Sequence, residues 1–285
     1  MLVLKAVFGL AQRAATGVAF WILAAAAFGA FTFTSAPFPL VIAAAGALGF
    51  ALFPRASEDT SATSGRWTQS VRVLGFGALL IAGSLLVVRT VFPDVFDDIA
   101  RLFSTAAFVS FGGAYAILPF VAENAVEQEG WLTAAEMLNG LALGEATPGP
   151  LILVNPYAGF FGEWSACGVW AGVLGAVLAC YFTFLPSFVL VFAIAPHVES
   201  LGGVPWALAA LAGVSAAVIG AIAHLAVYLG QAAFFPEGLS GDVEWPKLAL
   251  FLAFGAAMAW RPLGLLGLIG GGAAAGLVLG AAGFA

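Results

Sequence analysis

Charge is what this sequence has least of: nine basic and fifteen acidic side chains in 285 residues, 8% in all. A soluble domain carries about 25% charged residues, so this chain has too few to cover a surface facing water. The formal net charge of −6 rests on so few groups that it says little about partners. Histidine and cysteine are equally sparse, with two of each. There is no H-E-x-x-H, no Ser/His pair at useful spacing and no Cys/His cluster, so metal hydrolysis and triad chemistry lack their components. No enzyme activity, metal or cofactor is expected. Basic stripes interleaved with aromatics are also missing, which leaves nucleic-acid binding without support. Cys167 and Cys180 fall in one predicted helix, about 20 Å apart at 1.5 Å rise per residue. That is too far for a disulfide within it, and packing is the expected role for both.

What is present is apolar: 62% hydrophobic residues and a mean hydropathy of +1.07. Apolar runs broken only by Gly and Pro describe an all-α, polytopic membrane helical bundle, because a β-barrel would show short alternating segments instead. Lys5 and Arg13 open the chain, but no small-residue cleavage site ends a short apolar core. The N-terminus is therefore read as structure and not as a signal peptide.

In chain order, apolar spans are expected at about 14–33 and 38–53, separated by the turn residues Ser35, Pro37 and Pro39. The stretch from Pro54 to Trp67, rich in Ser, Thr and Gly, reads as a flexible linker. Organisation follows as a leading membrane region (residues 1–53), a polar linker (residues 54–70) and a main membrane region (residues 71–285). Arg55, Arg66 and Arg72 place the linker on the cytoplasmic side by the positive-inside rule. Further spans fall at about 73–90 and 102–121, the second entered through an amphipathic Phe96–Arg101. An acid-rich piece (Glu123, Glu127, Glu129) leads to Thr133, an N-cap with Glu136 three residues on as its capping-box partner. Trp164 to Ile194 is either one tilted span or two pieces bent at Leu185-Pro186-Ser187. The last spans run about 204–235, 246–260 and 262–281, giving eight to ten membrane segments. The final one is Gly/Ala-rich, as in closely packed membrane helices.

One stretch breaks the apolar pattern with an acid: Gly144-Glu145-Ala146-Thr147-Pro148-Gly149-Pro150. The two prolines remove backbone donors and fix φ, and Gly149 tolerates any backbone angle. A helix restarting at Pro150 would leave the N–H groups of Leu151 and Ile152 free, and a helix N-terminus attracts anions. Thr147 would cap them or add a hydroxyl donor. The Gly112-Gly113 pair, within Phe111-Gly112-Gly113-Ala114-Tyr115, offers a second break to face the first. The competing account is a proline kink with glycines for helix packing. Glu145 tilts the choice toward a site, because an acid inside a span is a functional candidate by default unless it lies at the interface and faces water. It is the candidate for coupling proton movement to anion movement. Asn155 and Tyr157 are expected to pack, and His224 to be hydrogen-bonded within the bundle. His197 and Arg261 are expected at helix ends, with Trp67, Trp131 and Trp164 in the aromatic belt.

The stretches FGGAYAILPFV (Phe111–Val121), WLTAAEMLNGLALGEATPGPLILVNPYAGF (Trp131–Phe160) and FLPSFVLVFAIAP (Phe184–Pro196), in that order and spacing, resemble the chromate ion transporter (CHR) family. The resemblance covers roughly Arg101 to the C-terminus. It implies export of chromate, a tetrahedral dianion like sulfate, across the bacterial inner membrane, with proton-motive coupling and chromate resistance. It also implies a substrate site at Phe111, Gly112, Gly113, Tyr115, Thr147, Pro148, Gly149 and Pro150. Many relatives carry Gln at the position of Glu145. Long family members hold two homologous halves, each with its own FGG and PGP motifs. Here each motif occurs once, and residues 1–53 look like the tail of a first half. The chain is thus read as one half of a pseudo-symmetric repeat transporter. Its expected partners are chromate or a related oxyanion, the lipid bilayer, and a second copy or a missing N-terminal half. The alternatives are a transporter of sulfate or another oxyanion, or a truncated, non-transporting membrane subunit.

Overall fold

The computed structural model describes residues 17–34, 36–53, 67–109, 114–147, 151–197, 205–235, 243–260 and 265–281. The α-helices in these stretches are α1 Gly17–Phe33, α2 Phe38–Leu52, α3 Trp67–Val91, α4 Asp94–Val109, α5 Ala114–Ala122, α6 Ala134–Ala146, α7 Val154–Cys167, α8 Val169–Ile194, α9 Pro205–Phe234, α10 Trp245–Trp260 and α11 Leu265–Ala281. A π-helical segment, Glu123–Gln128, continues α5, and a 3₁₀ turn, Leu151–Leu153, precedes α7. Strands are absent among the described residues. The protein is an all-α membrane helical bundle. Three helices, α3, α8 and α9, are each long and apolar enough to cross a bilayer unaided, since the hydrocarbon core needs about 20 residues.

Eleven α-helices lie among the described residues, against eight to ten expected membrane segments, and the expected 102–121 span divides into α4 and α5. Another expected boundary moves. Of the two readings of residues 164–194, the single-helix one holds from Val169 onward: α8 runs unbroken through Pro186. The Ser187 hydroxyl donates to Thr183 O at 2.9 Å, the kind of side-chain donor that lets membrane helices tolerate proline. The break falls instead at Gly168, whose φ of 85° is open to glycine and strained for other residues. Cys167 therefore ends α7 while Cys180 lies in α8, so the two cysteines do not share a helix.

Two packed groups make up the bundle. In one, α1 and α2 lie against α9. Phe38, Ile42, Ala45 and Gly49 form the buried stripe of α2, at the four- and three-residue steps of a single helix face. Gly49 and Gly213 bring the α2 and α9 backbones together, and Gly220 meets the α1 backbone at Ala24 and Phe28. In the other group, α7 and α4 pack on α8, and α3 covers the outside of α8. Gly159 and Gly175 form the close α7–α8 crossing. The Ser70 hydroxyl ties α3 to Ala193 O at 2.7 Å. Outward-facing Leu74, Phe76, Leu79, Leu86 and Val87 of α3 are exposed, which suits a lipid-facing surface. Between the groups sits α5, touching α4, α7 and α9.

Candidate functional site

Two helix junctions carry the motif residues, and local chemistry sets where each junction falls. Thr133 caps α6: its Oγ1 accepts from the Glu136 N–H at 3.2 Å, and the Glu136 carboxylate accepts from the Thr133 N–H at 2.7 Å. The expected capping box is therefore formed. From there α6 runs to Ala146, where the Thr147 N–H and hydroxyl both turn back to Leu143 O, at 3.0 and 2.7 Å. The other junction lies between Val109, the end of α4, and Ala114, the start of α5. Phe111, Gly112, Gly113, Pro148, Gly149 and Pro150 lie outside the described residues.

The described neighbours of the two motifs meet. Tyr115, in the first turn of α5, donates its hydroxyl to Glu145 Oε1 in the last turn of α6, at 3.0 Å. The Leu151–Leu153 turn packs against both α5 and α6. Residues 30 apart in sequence are thus joined at one point. Glu145 is half-buried, so it is neither sealed in the core nor free in water.

Behind this junction the α7–α8 interface is polar where it is most buried. Asn155, with no exposed surface, donates Nδ2 to Thr183 Oγ1 at 3.1 Å, and Thr183 donates to Ala179 O at 2.7 Å. Tyr157 packs its ring onto Gly140, joining α7 to α6. Among the described residues, Asn155 Oδ1, Ser104 Oγ and Glu163 Oε2 are buried without a partner. Glu163 is 1% exposed, and sequence reasoning missed it. Its signal was there: Asn155, Gly159, Gly162 and Glu163 recur at helical spacing, so the acid shares the packed face of α7.

At the far end of α5, about 12 Å from Tyr115 at 1.5 Å per residue, acids gather around the π-helical segment. A cavity of about 350 Å³ is lined by Thr34, Glu123, Glu127, His224 and Tyr228, among others. A second, of about 470 Å³, shares Glu123 and Gln128 with it and adds Asp98, Arg101 and Glu129. Burial, then the charge of Asp98, pushes the Glu129 carboxyl above its ordinary value. Arg101 is engaged by Asp97 at 2.6 Å. As expected, His224 is hydrogen-bonded within the bundle, with Nδ1 3.1 Å from Thr32 Oγ1.

A family model described as chromate transporter matches residues 98–277. The chain belongs to the chromate transporter family. The match takes in both motif junctions and begins within α4, so α1, α2 and α3 precede it. This chromate transporter family member is 27% identical over 206 residues to the "Chromate transport protein" of Cupriavidus metallidurans, covering 72% of the chain and 49% of that relative. It is 30% identical over 165 residues to the "Probable chromate transport protein" of Synechococcus elongatus, covering 58% and 40%. With the "Chromate transport protein" of Pseudomonas aeruginosa it shares 35% identity over 126 residues, covering 44% and 28%. The matched region spans less than half the length of each of these relatives. No solved structure matches the chain.

Proposed function

We propose that this chain moves chromate, or another tetrahedral oxyanion such as sulfate, outward across the bacterial inner membrane. Proton-motive force drives the step, and chromate resistance is the cellular result. Family membership supports the substrate class. The observation that carries the site is the Tyr115–Glu145 hydrogen bond, which brings the flanks of the two motifs to one place. There Phe111, Gly112, Gly113, Tyr115, Thr147, Pro148, Gly149 and Pro150 form the substrate site. The helix-start N–H groups and dipole of α7 supply positive potential where basic side chains are scarce. Glu145 lies beside it as a proton-coupling group, since an ionised carboxylate repels an anion and a protonated one does not. A second half, from another copy or from sequence homologous to this one, completes the pathway.

The test is chromate uptake into inverted vesicles containing only this chain, with sulfate as competitor and empty vesicles as baseline. Saturable uptake that chromate outcompetes sulfate for is expected. Sulfate uptake blind to chromate would favour the second oxyanion. No uptake above the empty vesicles would overturn transport by this chain alone and favour a non-transporting subunit. Gly112→Leu and Gly149→Leu should each abolish chromate resistance in cells while membrane insertion persists. Unchanged resistance in either would remove that position from the site. Glu145→Gln should flatten the pH dependence of export, and an undiminished dependence would take the proton role away from Glu145.

A further inference from the structure

The cavity at the far end of α5 has a composition that oxyanion binding does not use. Its polar walls are Glu123 and Glu127 from the π-helical segment, His224 and Tyr228 from α9, and Thr34 at the end of α1, with Phe31, Phe38 and Pro119 as apolar backing. His224 and Tyr228 are four residues apart and lie on one helix face. The Tyr228 side chain lines the same cavity as Glu127. The ring of His224 sits against Phe28 and Phe31, at centroid separations of 6.5 and 6.2 Å, and Thr32 fixes its Nδ1. Its orientation is therefore set by α1, which lies outside the family match. A π-helical segment inside a functional protein recurs at sites where side chains must be re-aimed. Histidine is the side chain whose charge ordinarily changes near neutral pH, and ionisable groups within a membrane bundle are functional candidates by default.

We propose that this cavity is a proton-binding site, in which His224 and Glu127 take up one proton from water and return it to water. Binding moves a proton onto the imidazole or the carboxylate; no covalent bond to a heavy atom forms or breaks. The proposal rests on the transport reading and adds to it a second proton station, in series with Glu145 and remote from the substrate junction. Other titratable groups around His224 are few. Glu123 and Glu127 face it from the π-helical segment, and Tyr228 from its own helix. The described residues of α1 and α2 contribute none. On α6, Glu136 is held in the capping box and Glu145 by Tyr115. Near the start of α10, Lys247 pairs with Glu244 at 3.5 Å. None of these four lines the cavity.

The protein has only two histidines, so His197→Gln leaves His224 as the sole imidazole for nitrogen-15 NMR of the full chain in lipid. In that background Glu127→Gln should lower the titration midpoint of His224 by about 1 pH unit through loss of a neighbouring negative charge. Glu127→Asp should keep the parent midpoint, and Glu145→Gln should leave it unmoved. A midpoint that ignores Glu127→Gln, or moves as far with Glu145→Gln, overturns the shared site. In vesicles, chromate uptake by the parent should vary about tenfold per pH unit where one proton is taken up, and His224→Gln should reduce this to less than about twofold. An undiminished pH profile in folded His224→Gln also overturns the site. If the parent moves no chromate, transport by this chain fails, while the NMR titration still decides for or against the proton site.

Discussion

The α1–α2 pair and the α4–α8 region are both packed through close glycine approaches, and they differ in what is buried around those contacts. The leading pair meets α9 backbone to backbone through Gly49, Gly213 and Gly220, with an apolar stripe filling the contact. The motif region has its own glycine crossing, Gly159 against Gly175, but adds buried polar side chains: Tyr115 bonds to Glu145, Asn155 to Thr183, and Ser104, Asn155 and Glu163 each hold a buried polar atom without a partner among the described residues. Small-residue contact gives dispersion and close approach but no chemistry. Buried polar groups cost stability unless satisfied, so their concentration in the motif region is what sets it apart from the leading pair. The leading pair then takes on a different role, as a rigid backing that sets the rotation of α9 and so the placement of His224.

The largest effect should come from breaking that backing. Gly213→Leu drives a side chain into Ala45 O and the Gly49 backbone, an overpacking that costs about 3 kcal/mol. Gly29→Leu, on the same pair but with open space around it, should shift the unfolding midpoint little. Thermal unfolding in detergent compares them, and equal midpoints would mean the close α2–α9 approach is not what holds the leading pair.

The second break tests the polar region. Thr183→Val preserves shape but leaves the fully buried Asn155 Nδ2 without its acceptor, a loss of about 2 kcal/mol. An unchanged midpoint would show that Asn155 finds water instead.

The contrast also explains what could be read from the sequence. The capping box at Thr133 was legible because both partners lie within one helical turn and their chemistry is local. The helical class, the span expected at about 204–235 and found as α9, and the bundle histidine followed from composition and from the cost of an unpaired polar group in lipid. The break at Gly168 was hidden by a louder signal, Pro186, whose missing donor the helix tolerates with Ser187 bonding back to Thr183. Glu163 escaped notice because an acid next to Trp164 looks interfacial until α4 and α8 are placed over it. The Tyr115–Glu145 contact depends on how two junctions 30 residues apart come together, which neither propensity nor periodicity encodes.

Tyr115→Phe comes third. It removes the donor to the half-buried Glu145 while keeping the ring, and about 1 kcal/mol is the expected cost. A double-mutant cycle with Glu145→Ala should return a coupling of similar size. Additive effects would mean that the two motif flanks are neighbours without being joined.

The smallest effect on stability is expected where the charge is most visible. Arg101 pairs with Asp97 one helical turn away on α4, with the guanidinium more than half exposed, and exposed pairs of this kind contribute little. Arg101→Gln should leave the unfolding midpoint unchanged. Yet Arg101 is the one basic side chain lining the two described cavities, among Asp98, Glu123, Glu127 and Glu129. An anion approaching this end meets four carboxylates and a single guanidinium, so the same variant should slow chromate entry from this face, and most at low salt where screening is weak. If uptake is as fast without Arg101 at low salt as with it, the acidic end is a path for protons alone, and the anion enters the junction of α5 and α6 from elsewhere.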